Sequence, residues 1–157
     1  SNTPLQKRLL LKDSSTSYKN SCIDMGSEEF TMGRPHPMVD LELRKQRIVK
    51  ESQDPEVAVL LLDVVLGYGA HSDPAGTLAT SIAQAKRIAQ NDRRYLSVVA
   101  SVCGTKQDPQ NRIAQEIKLR KVGTVVMPSN AQATRIVALI VARGRTWKKL
   151  WEGGENH

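Results

Sequence analysis

Aromatic side chains are scarce in this sequence, at 4% of 157 residues. A core must therefore be filled by Val, Leu, Ile and Ala, which carry no polar handle to satisfy. The two cysteines, Cys22 and Cys103, stand far apart, and that spacing excludes a disulfide framework and the usual zinc clusters. No apolar run approaches the ~20 residues that a bilayer crossing needs. The opening residues lack the basic-then-apolar pattern of a secretory leader. A soluble, cytoplasmic protein is the expectation, and the length suits one domain, alone or with a tail.

Acidic residues are in deficit: 23 Lys and Arg against 16 Asp and Glu leave a formal charge of +7. The basic residues are spread over Lys7-Arg8, Arg44-Lys45-Arg47, Arg93-Arg94, Arg112 to Lys121 and Arg143 to Lys149. Most fall on the solvent faces of predicted helices or in the tail, with no aromatic residues between them. They read as a solvated surface mildly attractive to anionic ligands rather than as a nucleic-acid interface.

The chain is organised around residues 57–76. The first ten are apolar apart from Asp63 and show no alternation, the pattern of a strand covered on both faces inside a parallel sheet. The strand gives way to Gly67-Tyr68-Gly69-Ala70-His71-Ser72, and Asp73-Pro74 then supplies a cap and a first-turn proline for a helix. A strand that opens through glycines into a helix N-terminus is where α/β proteins place ligand chemistry.

Before this stretch, residues 12–20 are polar and turn-rich, and residues 22–32 suggest a short irregular hairpin. The chain starts without a strand of its own, as a truncated piece would. Gly33-Arg34-Pro35-His36-Pro37 is held extended by its prolines, and Asp40 caps a helix over 41–52 whose sparse apolar residues place it on the surface. Three strand–helix pairs follow: 57–66 with 74–90, 95–102 with a helix from Asp108-Pro109 to 121, and 123–127 with 131–142. The buried stripes are predicted as Leu78, Ile82, Ala85 and Ala89, then Ile113, Ala114 and Ile117, then Ile136, Val137 and Ile140. Residues 1–35 are thus an irregular segment and linker, 36–142 an α/β domain and 143–157 a basic tail. That tail holds Trp147 and Trp151 and is either a short docking helix or a frayed end.

Alternating strands and helices with short connections imply right-handed crossovers and a parallel sheet. The loops at 67–73, 103–108 and 128–130 then share its carboxyl edge, each leading to a helix N-terminus with partial positive charge. Gly67, Gly69, Asp73, Gly104, Thr105, Ser129 and Asn130 become candidates for holding a phosphate or carboxylate, with Arg34 as a forked donor. His71 beside Asp73 reads either as an acid/base group or anion ligand, or as a solvated loop residue. His36 either faces the same edge or crosses the surface. Asp63 must find a donor or sit near the open end of its strand. Cys103 reads as a packed small residue, and Asp108, Ser129 and Asn130 are also explained by helix capping. Gly67-Tyr68-Gly69 lacks the third glycine and distal acid of a dinucleotide fingerprint.

Four stretches carry a resemblance: residues 29–40 (Glu-Phe-Thr-Met-Gly-Arg-Pro-His-Pro-Met-Val-Asp), 60–75, 104–110 (Gly-Thr-Lys-Gln-Asp-Pro-Gln) and 127–133 (Met-Pro-Ser-Asn-Ala-Gln-Ala). Together they resemble the FdrA proteins, relatives of the succinyl-CoA synthetase α subunit and of acyl-CoA synthetases, over residues 1–141. The resemblance implies a three-layer, flavodoxin-like ligase domain with helices on both faces of a parallel sheet, separated from the CoA-binding domain that precedes it in the family. It implies CoA as a cofactor, no nucleotide bound by this domain alone, a small anionic substrate, and another domain or subunit as partner in an oligomer. The phosphohistidine loop of succinyl-CoA synthetases, Gly-His-Ala-Gly, has no counterpart in 104–112, and Val65 stands about where those enzymes have a glutamate. The FdrA link to allantoin breakdown implies transfer of a carbamoyl group, with Arg34, His36 and the 67–73 and 104–108 loops as binding positions. His36 and His71 are the candidate catalytic residues. The competing expectation is a non-catalytic module that docks a missing domain or partner subunit.

Overall fold

The computed structural model describes residues 1–142. Its centre is a parallel sheet of three strands, β1 (Val59–Val65), β2 (Ser97–Cys103) and β3 (Val125–Met127), in the order β1-β2-β3. Val59 pairs with Ser97 through to Val65 with Cys103, and Val99 to Ser101 pair with Val125 to Met127. Among the described residues the α-helices are α1 (Glu28–Thr31) in the segment before the sheet, and α2 (Glu42–Ser52), α3 (Pro74–Asn91), α4 (Arg112–Lys121) and α5 (Asn130–Val141) around it. The fold is α/β, as the alternation of elements predicts.

One face of the sheet carries the main core. Val64 from β1 and Leu66 just after it, Val98, Ala100 and Val102 from β2, and Val126 from β3 pack with Leu78, Ile82, Ala85 and Ala89 of α3 and Leu119 of α4. The stripe predicted on α3 is the stripe that is buried. Removing each such Leu or Ile from water contributes about 1.5–3 kcal/mol. Helix α2 packs against α3, and its Ile48 and the cap residue Leu41 before it enter the same core, so the expected surface helix is anchored to the body. On the other face, Val99 is fully buried, and α5 lies across all three strands with Ala133 inward. Ile136, Val137 and Ile140 on α5 are half-buried.

Several expectations are corrected. The interior strand is β2; β1 lies at an edge of the sheet, with Leu61 and Asp63 exposed. Its unalternating composition arises because one face enters the core and the other lies partly beneath α5. At that edge the Arg44 guanidinium donates to the Asp63 carbonyl and sits 3.5 Å from its carboxylate. On α4, Ile113 and Ile117 are 43% and 47% exposed, and the inward residues are Gln115 and Leu119. That helix begins after Asn111, not at Asp108. The Asn111 side chain accepts from the Ala114 N–H, and Asp108 instead turns back to accept from the Thr105 N–H. Residues 28–31 form a helical turn where a hairpin was expected.

Side chains tie the irregular segment before α2 together and fasten it to that helix. The Asn2 amide donates to the Asp24 carbonyl at 2.8 Å and to Glu29 Oε1 at 2.7 Å, and Asn2 Oδ1 accepts from the Asp24 N–H. From α2, Arg47 donates to the Ser14 carbonyl at 2.7 Å and to Ser17 Oγ at 2.9 Å, and Lys50 donates to the Ser15 carbonyl at 2.6 Å. The Trp147/Trp151 tail lies outside the described residues.

Candidate functional site

Strand β1 runs directly into the loop that holds His71. Gly67 adopts φ +135°, a conformation that an L side chain rarely takes, and a β-carbon at Gly67 or Gly69 would meet nothing within 4 Å. Between them Tyr68 projects with 92% of its surface exposed. The loop is open on its outer side and tied on its inner side. The Gln110 side chain is buried beneath it: Oε1 accepts from the Gly67 N–H at 3.1 Å, and Nε2 donates to the carbonyls of Gly67 at 2.7 Å and His71 at 3.1 Å.

The Pro-His-Pro segment reaches the same loop. The His71 N–H donates to the Met38 carbonyl at 2.7 Å, joining stretches more than thirty residues apart. Pro37 is buried, whereas Arg34, Pro35 and His36 are exposed. The two histidines repeat one local device. His36 Nδ1 accepts from the Met38 N–H at 3.2 Å, and His71 Nδ1 accepts from the Asp73 N–H at 3.0 Å. A ring whose Nδ1 accepts carries its proton on Nε2 when neutral, so each imidazole has an Nε2–H to donate. His36 lies over the turn at residues 24–26, and a β-carbon on Gly26 would stand 2.8 Å from its Nε2.

The loop after β2 is pressed against the end of β1. The Leu66 N–H donates to the Cys103 carbonyl at 2.9 Å, and Gly104 lies on the Leu66 side chain. Thr105 is fixed by its N–H on Asp108, and its hydroxyl accepts from the Gln107 N–H at 3.2 Å. Cys103 is exposed at the end of its strand, not packed as its sequence position suggests. After β3, Ser129 Oγ caps α5 by accepting from the Gln132 N–H, while Asn130 Oδ1 is 3.3 Å from the Thr134 hydroxyl.

The expected anion cradle at helix N-termini does not extend to α3, because its first turn is filled from within. Asp73 Oδ1 accepts from the Gly76 N–H, the Asp73 carbonyl from Thr77, and Gln115 Oε1 from the Ala75 N–H at 2.8 Å; Pro74 has no N–H to give. Asp73 Oδ2 is paired with Lys118 Nζ at 2.8 Å, and Gln115 Nε2 donates to its Oδ1 at 3.0 Å. Partial burial pulls the Asp73 carboxyl upward, but the bonds from Lys118, Gln115 and Gly76 together outweigh it and hold the group below the usual carboxylate range. Asp73 is therefore a capping and ion-paired residue. The donors facing outward are Arg34, the histidine Nε2–H groups and the loop backbone.

A groove of about 350 Å³ is lined by Arg34, Pro35, Asp40, Glu42, Leu43 and Gln46, and no residue of the 67–73 loop lines it. The Glu42 carboxylate is already bonded to Lys45 at 2.7 Å and Gln46 at 3.1 Å, which keeps it ionised to lower pH than usual. Among the described residues, no group of three or more His, Cys, Asp or Glu side chains is placed to hold a metal ion, and no helix is long and apolar enough to cross a membrane.

Sequence reasoning missed Met38, Gln110, Gln115 and Lys118. Met38 acts through its carbonyl, which no side-chain pattern reports. The two glutamines are buried on backbone partners about forty residues away, which no local pattern reports.

The sequence model described as CoA-ligase matches residues 7–140. An Escherichia coli (strain K12) protein, the uncharacterized protein YahF, is 37% identical over 134 residues, which is 85% of this chain and 26% of that protein. The chain thus spans about a quarter of the length of this curated relative.

Proposed function

Because the chain belongs to the CoA-ligase family, we propose that it is the ligase-like portion of an FdrA-type, acyl-CoA-synthetase-related protein that handles a carboxylate, phosphate or CoA-bearing substrate. Arg34 neutralises the anion, and the exposed residues Gly69, Ser129 and Asn130 form the rim on which the substrate rests, while Gly67, Gly104 and Thr105, held by Gln110, Leu66 and Asp108, shape that rim without donating to the substrate. His36 and His71 donate from Nε2 to a developing oxyanion or move a proton at that atom. The absence of histidine from 104–112 argues against a phosphohistidine on that loop and favours direct transfer of an acyl or carbamoyl group between an anionic donor and its acceptor. CoA would supply the thiol that accepts or releases an acyl group. The observation that carries this reading is the 2.7 Å bond from His71 to Met38, which brings together two motif stretches from distant parts of the sequence.

Calorimetric titration of the chain with inorganic phosphate, carbamoyl phosphate, oxamate and CoA tests the reading. At least one of these binds, and Arg34→Ala weakens that ligand about tenfold or more. A charged hydrogen bond contributes about 1.5–3 kcal/mol, and 1.4 kcal/mol is tenfold in affinity. Equal affinity in the variant with an unchanged melting temperature removes Arg34 from the site; no binding by any of the four removes the anion reading.

A second reading is favoured by the relative's length. With this chain matching about a quarter of YahF, its role in the longer protein would be to dock other domains rather than to bind substrate itself. Co-purification with the remaining portion of such a protein, on gel filtration, separates the two.

A further inference from the structure

We infer that Gln110 is a positioning residue for His71, holding the imidazole as a fixed Nε2–H donor toward an oxyanion; the ligand half of this statement rests on the function proposed above. The β1–β2 ladder ends where the Leu66 N–H meets the Cys103 carbonyl, and β2 then turns away at Gly104. At the next residue, Gly67, just beyond β1, the Gln110 side chain takes over where the neighbouring strand has left. It bonds both the N–H and the carbonyl of Gly67, so that neither is left unpaired. Its remaining proton goes to the His71 carbonyl. All three bonds of this amide are spent on the backbone of one loop. Methionine would fill similar space without donors and acceptors to satisfy, so packing alone does not call for glutamine here.

The consequence falls on His71. Its carbonyl is held by Gln110 from the segment before α4, its N–H by the Met38 carbonyl from the Pro-His-Pro segment, and its Nδ1 by the Asp73 N–H from the cap of α3. Three separate parts of the chain thus fix both backbone groups and one ring nitrogen of a single residue. Among the described residues Nε2 has no partner, and with Nδ1 accepting, it is the nitrogen that bears the proton. His71 is only half-buried and follows two glycines, so core packing does not impose such restraint on it. A donor that must meet a developing negative charge without reorganising does need it.

Nuclear magnetic resonance of the full chain tests this through the ring nitrogens. In the wild type, long-range ¹H–¹⁵N correlations place neutral His71 in the Nε2–H form, and the amides of Gly67 and His71 exchange more slowly than those of Tyr68 and Gly69. In Gln110→Met, His71 populates both tautomers and the Gly67 and His71 amides exchange faster, while the amides of β2 keep their protection. A wild-type His71 in the Nδ1–H form or in a mixture overturns the inference, whether or not the variant folds. So does a folded variant with an unchanged tautomer. Inorganic phosphate added to the wild type separates the two claims. A shift at His71 Nε2 that Gln110→Met weakens supports both. An intact tautomer with no response to phosphate, carbamoyl phosphate, oxamate or CoA overturns the anion reading alone and leaves the positioning of the ring in force.

Discussion

Gly104 and Leu66 approach so closely that a β-carbon at position 104 would stand 2.7 Å from the Leu66 Cβ, with Asp108 Oδ2 at 2.9 Å on its other side. The Leu66 Cβ is fixed to the backbone of a core residue and cannot swing aside. Gly104→Ala must therefore move the β2 loop off the end of β1. The expected cost is about 1–3 kcal/mol, the range for overpacking a filled space. Urea denaturation reads it as a lower midpoint at constant slope.

Gln115 holds the N-terminus of α3 from inside the protein, where it is only 2% exposed. Gln115→Leu keeps the approximate volume and removes the acceptor for the Ala75 N–H and the donor to Asp73. A buried backbone N–H without a partner costs about 1–3 kcal/mol, so the leucine variant is less stable despite being more apolar. If leucine at this position left the urea midpoint unchanged or raised it, the amide would be dispensable and the capping role assigned to it would fail.

On α4, Leu119→Ala and Ile117→Ala should separate sharply. Leu119 is fully buried in the core, while Ile117 is nearly half exposed. The first substitution is expected to cost about 2–5 kcal/mol, and the second to stay within about 0.5 kcal/mol, as surface changes usually do. Thermal melts of the two variants, side by side, check which stripe faces inward.

The Asp73 carboxyl is held below its ordinary range in the folded chain, so its contribution to stability has a defined sign with pH. That contribution is fully present above the ordinary carboxylate value. It shrinks as pH falls from there toward the lower folded value, because the unfolded chain takes up the proton first. Asp73→Asn keeps a capping oxygen and removes the titration. Its stability should fall less steeply than that of the wild type across this acid window, and the two curves should run parallel near neutral pH. Urea midpoints measured from pH 6 downward give the comparison.

Much of the fold was legible in the sequence because its signals are local. A ten-residue apolar run followed by glycines and Asp73-Pro74 yields a strand, a loop and a capped helix, and the structure has each of them, with the Asp73 cap formed. The stripe on α3 was readable for the same reason, since Leu78, Ile82, Ala85 and Ala89 repeat at helical spacing. On α4 the same reasoning chose the wrong face. Ile113 and Ile117 stand at the same spacing as Gln115 and Leu119, and hydrophobicity alone prefers the isoleucines. The glutamine is inward because the Ala75 N–H and the Asp73 carboxylate at the start of another helix lie opposite it, a fact about two segments and not about one. The position of His71 at the carboxyl edge followed from topology. Its link to Met38 did not, because a main-chain carbonyl looks the same in every residue.

The side-chain amides of Gln110 and Gln115 reach partners 39 to 43 residues earlier in the chain. Local sequence therefore cannot assemble this loop. It has to wait for α4 to dock, after the slow closure of a long segment of polypeptide. A partly folded species with β1, α3 and β2 in place but α4 detached would keep most of its apolar core and have no ordered histidine loop. Order in the histidine loop should therefore be among the last properties regained on refolding and among the first lost when the molecule begins to open.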